Sequence, residues 1–101
     1  MITETVYALR HRISFQFACG YYGFIKDPQH AKFYKSKNPA TSVITQWRKR
    51  LKFSQSMIEA PGVNGKYYRE DAEKVQEWLD NVEVVKCERT LSVVEIMPLP
   101  L

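Results

Sequence analysis

Ser36-Lys37-Asn38-Pro39-Ala40-Thr41-Ser42-Val43-Ile44-Thr45-Gln46-Trp47-Arg48-Lys49-Arg50-Leu51-Lys52 reads as one amphipathic helix. Asn38 is a good N-cap, and Pro39 stands at the first helical position, where a missing N–H costs nothing. Ala40, Val43, Ile44, Trp47 and Leu51 recur at helical spacing on one side, while Thr41, Thr45, Arg48, Lys49 and Lys52 take the others. The cations near the C-terminal end suit the helix dipole. This spacing predicts a helix from Pro39 to Leu51.

Upstream the pattern changes from a period near 3.6 to a period of 2. Val6, Ala8 and Arg10 alternate with Tyr7, Leu9 and His11, and Phe15 and Phe17 alternate with Ser14 and Gln16. Two strands are expected there, with Tyr22 to Ile25 as a third or as a continuation of the second. Gly20 and Gly23 bracket Tyr21-Tyr22 and suggest a bend or a close backbone approach. Asp27-Pro28 opens a turn or short helix over Gln29 to Tyr34. Downstream, Pro61-Gly62 and Asn64-Gly65 mark a loop from Phe53 to Lys66. A second helix is expected from Arg69 to Asn81, with Tyr68, Ala72, Val75, Trp78, Leu79 and Val82 as its apolar stripe. Val82 to Glu88 and Leu91 to Met97 read as strands joined by a turn at Arg89-Thr90. The order β-β-(β)-α-α-β-β predicts an α+β fold, a small antiparallel sheet packed against two helices. One domain over residues 1–97 is expected, followed by a tail at 98–101 that fits no regular element.

Charge is divided along the chain. Residues 1–52 carry ten Lys/Arg and two acids, a net of +8; residues 53–101 carry five Lys/Arg and nine acids, a net of −4. The positive excess lies at Lys26 to Lys37 and at Arg48 to Lys52, and the negative excess mainly from Glu70 to Glu83. Such asymmetry points to a polyanionic partner. Apolar residues are 45 % of the chain and aromatics 13 %, too many for a disordered tail. No apolar run nears the ~20 residues that span a bilayer, so no membrane association is expected. Met1-Ile2-Thr3-Glu4 does not resemble the start of a signal peptide. Cys19 and Cys87 stand far apart, giving neither a disulfide framework nor a metal cluster. A cytoplasmic, reduced chain without metal or cofactor is the expectation.

Catalytic patterns are not apparent. His11 and His30 sit in no catalytic setting, and Cys19 and Cys87 read as small buried thiols. Glu70, Asp71, Glu73, Glu77 and Asp80 repeat at the spacing of a solvated helix face. A non-enzymatic binding protein is therefore expected. Lys32, Lys35 and Lys37 flank Phe33-Tyr34, and Arg48, Lys49, Arg50 and Lys52 end the first helix. Cations interleaved with aromatics suit nucleic acid, since cations neutralise phosphates and exposed rings stack on unpaired bases. Tyr21, Tyr22, Phe33 and Tyr34 are the stacking candidates, whereas Phe15, Phe17, Phe24, Trp47 and Trp78 are read as core. The same cations would serve an acidic protein surface. The basic and acidic halves would also serve a homo-oligomer.

Two resemblances sharpen these expectations. Tyr7-Ala8-Leu9-Arg10, Phe15 and Phe17, Tyr21-Tyr22-Gly23, Asp27, Ala31-Lys32-Phe33-Tyr34-Lys35-Ser36 and Ala40 together resemble small accessory proteins of large tailed bacteriophages. That likeness implies a non-enzymatic role in the host cytoplasm: binding RNA, DNA or a nucleic-acid-handling host protein, and inhibiting a host defence nuclease or toxin. Asn64-Gly65-Lys66-Tyr67-Tyr68-Arg69-Glu70-Asp71, followed by Val75 and Leu79, is similar to the wing and next helix of MerR-like and excisionase-like domains. It implies a sequence-specific DNA-binding regulator with Thr41 to Arg50 as recognition helix. A self-associating structural protein is the third alternative.

Overall fold

The computed structural model describes residues 2–91. Its elements run β1 (Ile2–His11), β2 (Phe17–Ala18), β3 (Phe24–Ile25), a 3-10 turn (Pro28–His30), α1 (Lys37–Met57), α2 (Gly65–Asn81) and β4 (Val82–Leu91). The four strands form an antiparallel sheet in the order β3-β2-β1-β4, and with the two helices they make a small α+β fold.

β1 sits centrally, which explains its mixed pattern. A central strand is flanked on both sides by its neighbours' side chains, and Val6, Ala8, Leu9 and His11 are all buried. Leu9 and Ala18 face the helices, where they join Ala40, Val43, Trp47, Val75 and Trp78 in the core. Trp47 is 0 % exposed. It packs between Phe24 and Trp78, with ring centroids 5.6 and 5.3 Å away. On the opposite face, Val6 and Ala8 lie between two cross-strand ion pairs, Arg10–Glu83 and Glu4–Arg89.

Several boundaries differ from the sequence reading. β4 is one strand of ten residues, paired with β1 from His11↔Val82 to Ile2↔Leu91. The turn expected at Arg89-Thr90 is therefore strand, held by Glu4↔Arg89 and Thr3↔Thr90. The strand expected over Leu91–Met97 lies, beyond Leu91, outside the described residues, as does the tail at 98–101. α1 begins at Lys37 with Ser36 as its extended N-cap residue. Asn38 is inside the first turn, where its carbonyl accepts from the Thr41 hydroxyl. The helix also continues to Met57, because Trp47 and Ser54, seven residues apart, both face α2 and tertiary packing extends it. α2 starts four residues earlier than expected, since the Asn64 side chain accepts the Tyr67 N–H as a cap. A Cβ at Gly65 would lie 2.4 Å from the Ile58 carbonyl oxygen, so a glycine lets the loop pass that close. Asn64 to Asp71, which the second resemblance reads as a wing with its following helix, is the cap and first turns of α2.

Phe15, expected in the core, is exposed. It adopts φ of 61° at the end of the β1–β2 turn and lies under the Arg10 guanidinium, 5.2 Å from ring centroid to Cζ. His11 organises that turn. Its Nδ1 accepts from the Ile13 and Ser14 N–H groups, so Nε2 carries the proton donated to Glu77 at 2.6 Å. Among the described residues no helix is long and apolar enough to cross a membrane.

A candidate nucleic-acid interface

The β2–β3 connection places two tyrosines at its tip. The Cys19 N–H donates to the Gly23 carbonyl and the Gly23 N–H to the Gly20 carbonyl, closing a tight turn around Tyr21-Tyr22. Gly20 and Gly23 take φ of 92° and 100°, a region only glycine enters freely. Gly23 is also the point of closest approach, because a Cβ there would meet the Trp78 ring at 2.4 Å. The Trp47 indole N–H donates to the Tyr21 carbonyl at 2.9 Å. Core packing therefore fixes the turn, and its two rings project outward; Tyr22 is 79 % exposed.

Opposite this turn stand Phe53 on α1 and Tyr67 and Tyr68 at the start of α2. Tyr21, Tyr22, Phe53, Tyr67 and Tyr68 enclose an open cleft of about 330 Å³, with Arg50, Ser54 and Asp71 as its polar floor. The rings meet edge to face: Tyr21 with Tyr22, Phe53 with Tyr68, and Tyr67 with Tyr68. Their outward faces stay open, and Tyr22, Phe53 and Tyr67 are each more than half exposed.

The floor is a buried ion pair. Asp71 is 7 % exposed and accepts two hydrogen bonds from the Arg50 guanidinium and one from the Ser54 hydroxyl at 2.7 Å. The hydrogen bonds from Arg50 hold the Asp71 carboxyl below its usual range against the opposing cost of burial, and Ser54 adds to the effect. The same contact raises Arg50. The guanidinium also lies over the Tyr21 and Trp78 rings, 5.1 and 5.4 Å from their centroids. Arg50, expected as a binding residue, is thereby committed to the floor, and Asp71, expected on a solvated face, is buried beneath it.

The other expected site residues divide by position. Arg48, Lys49 and Lys52 are exposed on α1, and among the described residues none of them forms a salt bridge. α1 holds five cations and no acid, so only Arg50 is neutralised by the acidic helix beside it. Lys49 precedes Phe53 by four residues, one turn away along α1. Lys32 lies beside the tyrosine turn, with its Cδ 3.6 Å from where a Cβ on Gly20 would stand. Lys35 and Lys37 stand at the other end of α1; Lys37 is fifteen residues from Lys52, about 22 Å along the axis. Tyr34 does not line the cleft, although its hydroxyl comes nearly as close to Gly20 as Lys32 does. Its backbone bridges Tyr7 and its ring packs on the core. Its hydroxyl is buried without a partner, and burial, with Cys19 nearby, raises its pKa. Phe33 lies with Phe17 and Arg89 away from the cleft.

Phe53, Tyr67 and Tyr68 were missed by sequence reasoning. Phe53 read as loop, and Tyr68 as part of a core stripe. The usable signal was the Asn-Gly pair just before the tyrosines, since Asn64 caps α2 and so sets where they emerge. Comparison with family models, curated proteins and solved structures finds no match for this chain.

Proposed function

We propose that this chain is a non-enzymatic binding protein that takes single-stranded nucleic acid across the tyrosine cleft. The observation that carries the reading is the set of exposed rings, Tyr21, Tyr22, Phe53 and Tyr67, beside a helix that holds five cations and no acid. Unpaired bases would stack on the rings, each contact worth about 1–3 kcal/mol. Lys32, Arg48, Lys49 and Lys52 would neutralise the flanking phosphates. Single strands are favoured over duplex because a cleft lined by ring faces offers stacking, and a duplex has no free base faces to supply. Lys35 and Lys37 would engage only a longer strand running along α1. Arg50 serves the reading indirectly, by holding Tyr21 in place.

The phage resemblance suggests where such binding would be used: in host-cell cytoplasm, on RNA or DNA or on a host nuclease or toxin that handles them. Two free cysteines suit a reducing compartment.

Titration with single-stranded RNA, single-stranded DNA and duplex DNA over a salt series tests the proposal. Single strands are expected to bind more tightly than duplex, with log K falling against log salt at a slope of about −2 to −3 for three or four phosphates. Absent or salt-independent binding would overturn it and leave an acidic protein as the partner. Preference for one duplex sequence would favour the DNA-regulator alternative.

A further inference from the structure

Among the described residues, the sheet ends in a long open edge. β4 has ten residues, no proline and no glycine, and among the described residues β1 is the only strand paired with it. Such an edge presents a row of N–H and C=O groups to any second strand.

Which residues present them follows from β1. Tyr7 exchanges both backbone hydrogen bonds with Tyr34, at 2.7 and 2.8 Å, and the His11 N–H donates to Gln16. Odd-numbered residues of β1 therefore turn their backbone away from β4, and Val6, Ala8 and Arg10 turn theirs toward it. Their partners Cys87, Val85 and Glu83 are the hydrogen-bonded members of the β1–β4 ladder. Val84, Lys86, Glu88 and Thr90 are left with N–H and C=O directed at the open edge.

We infer that β4 pairs antiparallel with β4 of a second copy about a two-fold axis through Cys87, joining two sheets into one. In this register Lys86 of each copy stands opposite Glu88 of the other, and Val84 opposite Thr90, all as hydrogen-bonded pairs. Charge excludes the neighbouring registers. An axis at Lys86 or at Glu88 sets like charges face to face, which destabilises a strand pair. An axis at Val85 leaves Lys86 opposite Val84, and an axis at Arg89 sets two arginines together. Glu83 and Arg89 cannot compensate, being engaged by Arg10 and Glu4. Cys87 meets its copy as a non-hydrogen-bonded pair, with Cα atoms about 4.5 Å apart, within the span a disulfide bridges. The edge lies on a different part of the molecule from the tyrosine cleft, and dimerisation needs no nucleic acid.

The test combines sedimentation equilibrium with cross-linking, in the absence of nucleic acid. In the Cys19→Ser variant, diamide takes two electrons and two protons from the facing Cys87 thiols, giving the disulfide and the corresponding hydrazine. A covalent dimer is expected, and it should disappear in Cys19→Ser/Cys87→Ser. Lys86→Glu alone and Glu88→Lys alone should each weaken the dimer by about tenfold, since both symmetry-related pairs turn from attractive to repulsive. Lys86→Glu combined with Glu88→Lys should restore it. Both side chains are exposed, so thermal melting of each variant verifies that the fold is intact. A protein that stays monomeric at every concentration would overturn the inference. So would a dimer that neither cross-links at Cys87 nor responds to the charge swap.

Discussion

The two flanks of the α1–α2 pair are built by the same helices and carry opposite chemistry. One flank is the tyrosine cleft. The other is an open groove of about 440 Å³ with Leu51, Ile58 and Ala72 among its lining residues and Glu73, Glu77 and Asp80 at its rim. The difference comes from where Asp71, the one acid buried among the described residues, sits. Asp71 is drawn in between the helices, where it is paired with Arg50, and among the described residues the exposed Arg48, Lys49 and Lys52 of α1 form no salt bridge. Two other acids of α2 bond elsewhere, Glu77 to His11 and Asn81 and Asp80 to Gln76, while Glu70 stands beside Tyr67 and Asp71. Charge separation along the sequence thus becomes a difference between two packed helices: α1 holds five cations and no acid, α2 five acids and three cations. The basic half is not cancelled by the acidic half.

The contrast can be broken most severely at its support. Gly23→Ala adds a methyl that meets Trp78 and forces a non-glycine residue to φ of 100°. Overpacking and left-handed strain together should cost about 3–4 kcal/mol, seen as a large fall in Tm. Asp71→Asn removes the acid that holds Arg50. The expected loss is about 3 kcal/mol, at the low end for a broken buried pair because Arg50 retains some solvent contact. That loss has a pH signature. The folded pKa of Asp71 is held below the ordinary 3.8, so the pair's contribution is fully present above that value. It fades as pH falls through the depressed one. The Tm gap between wild type and Asp71→Asn should therefore narrow on acidification, and a constant gap would show that the charge is not what stabilises the floor.

Smaller changes sharpen the contrast without touching the fold. Tyr22→Ala and Phe53→Ala should each cost about 1–3 kcal/mol of single-strand affinity while shifting stability by less than about 0.5 kcal/mol, as expected of exposed sites. Lys49→Ala with Lys52→Ala should flatten the salt slope by about 1.4, two phosphate contacts at roughly 0.7 each. Glu73→Ala, on the opposite flank, should leave both the slope and the affinity nearly unchanged. An equal effect from the two flanks would mean that only net charge matters.

Much of this architecture was legible in the chain. The period of 3.6 around Trp47 and the period of 2 around Ala8 gave two helices on an antiparallel sheet, and Trp47, Trp78 and Phe24 fell where large aromatics belong. What escaped was settled by partners far away in sequence. Arg89-Thr90 looks like a turn until Glu4 and Thr3 are set opposite. Ser54 reads as part of a loop until its hydroxyl finds Asp71. Tyr34 looks like a stacking ring beside Lys32 and Lys35 until its backbone bridges Tyr7. At the candidate site, Tyr21 and Tyr22 could be singled out because paired glycines flank them. Phe53 and Tyr67 could not, because only the packing of α1 on α2 brings them together.

The ladder between β1 and β4 also governs when the protein can fold. During synthesis Val6 leaves the ribosome long before Cys87, its partner, so the central strand must wait with one edge open until almost all of the described chain has emerged. The α1–α2 hairpin, made of local contacts, can form first and offer Trp47 and Val75 as a surface. Pairings this distant close slowly, because the loop entropy is lost before the contacts repay it. A fast helical phase followed by a slower sheet-closing phase is the kinetic consequence, and the waiting edge of β1 is where aggregation would begin.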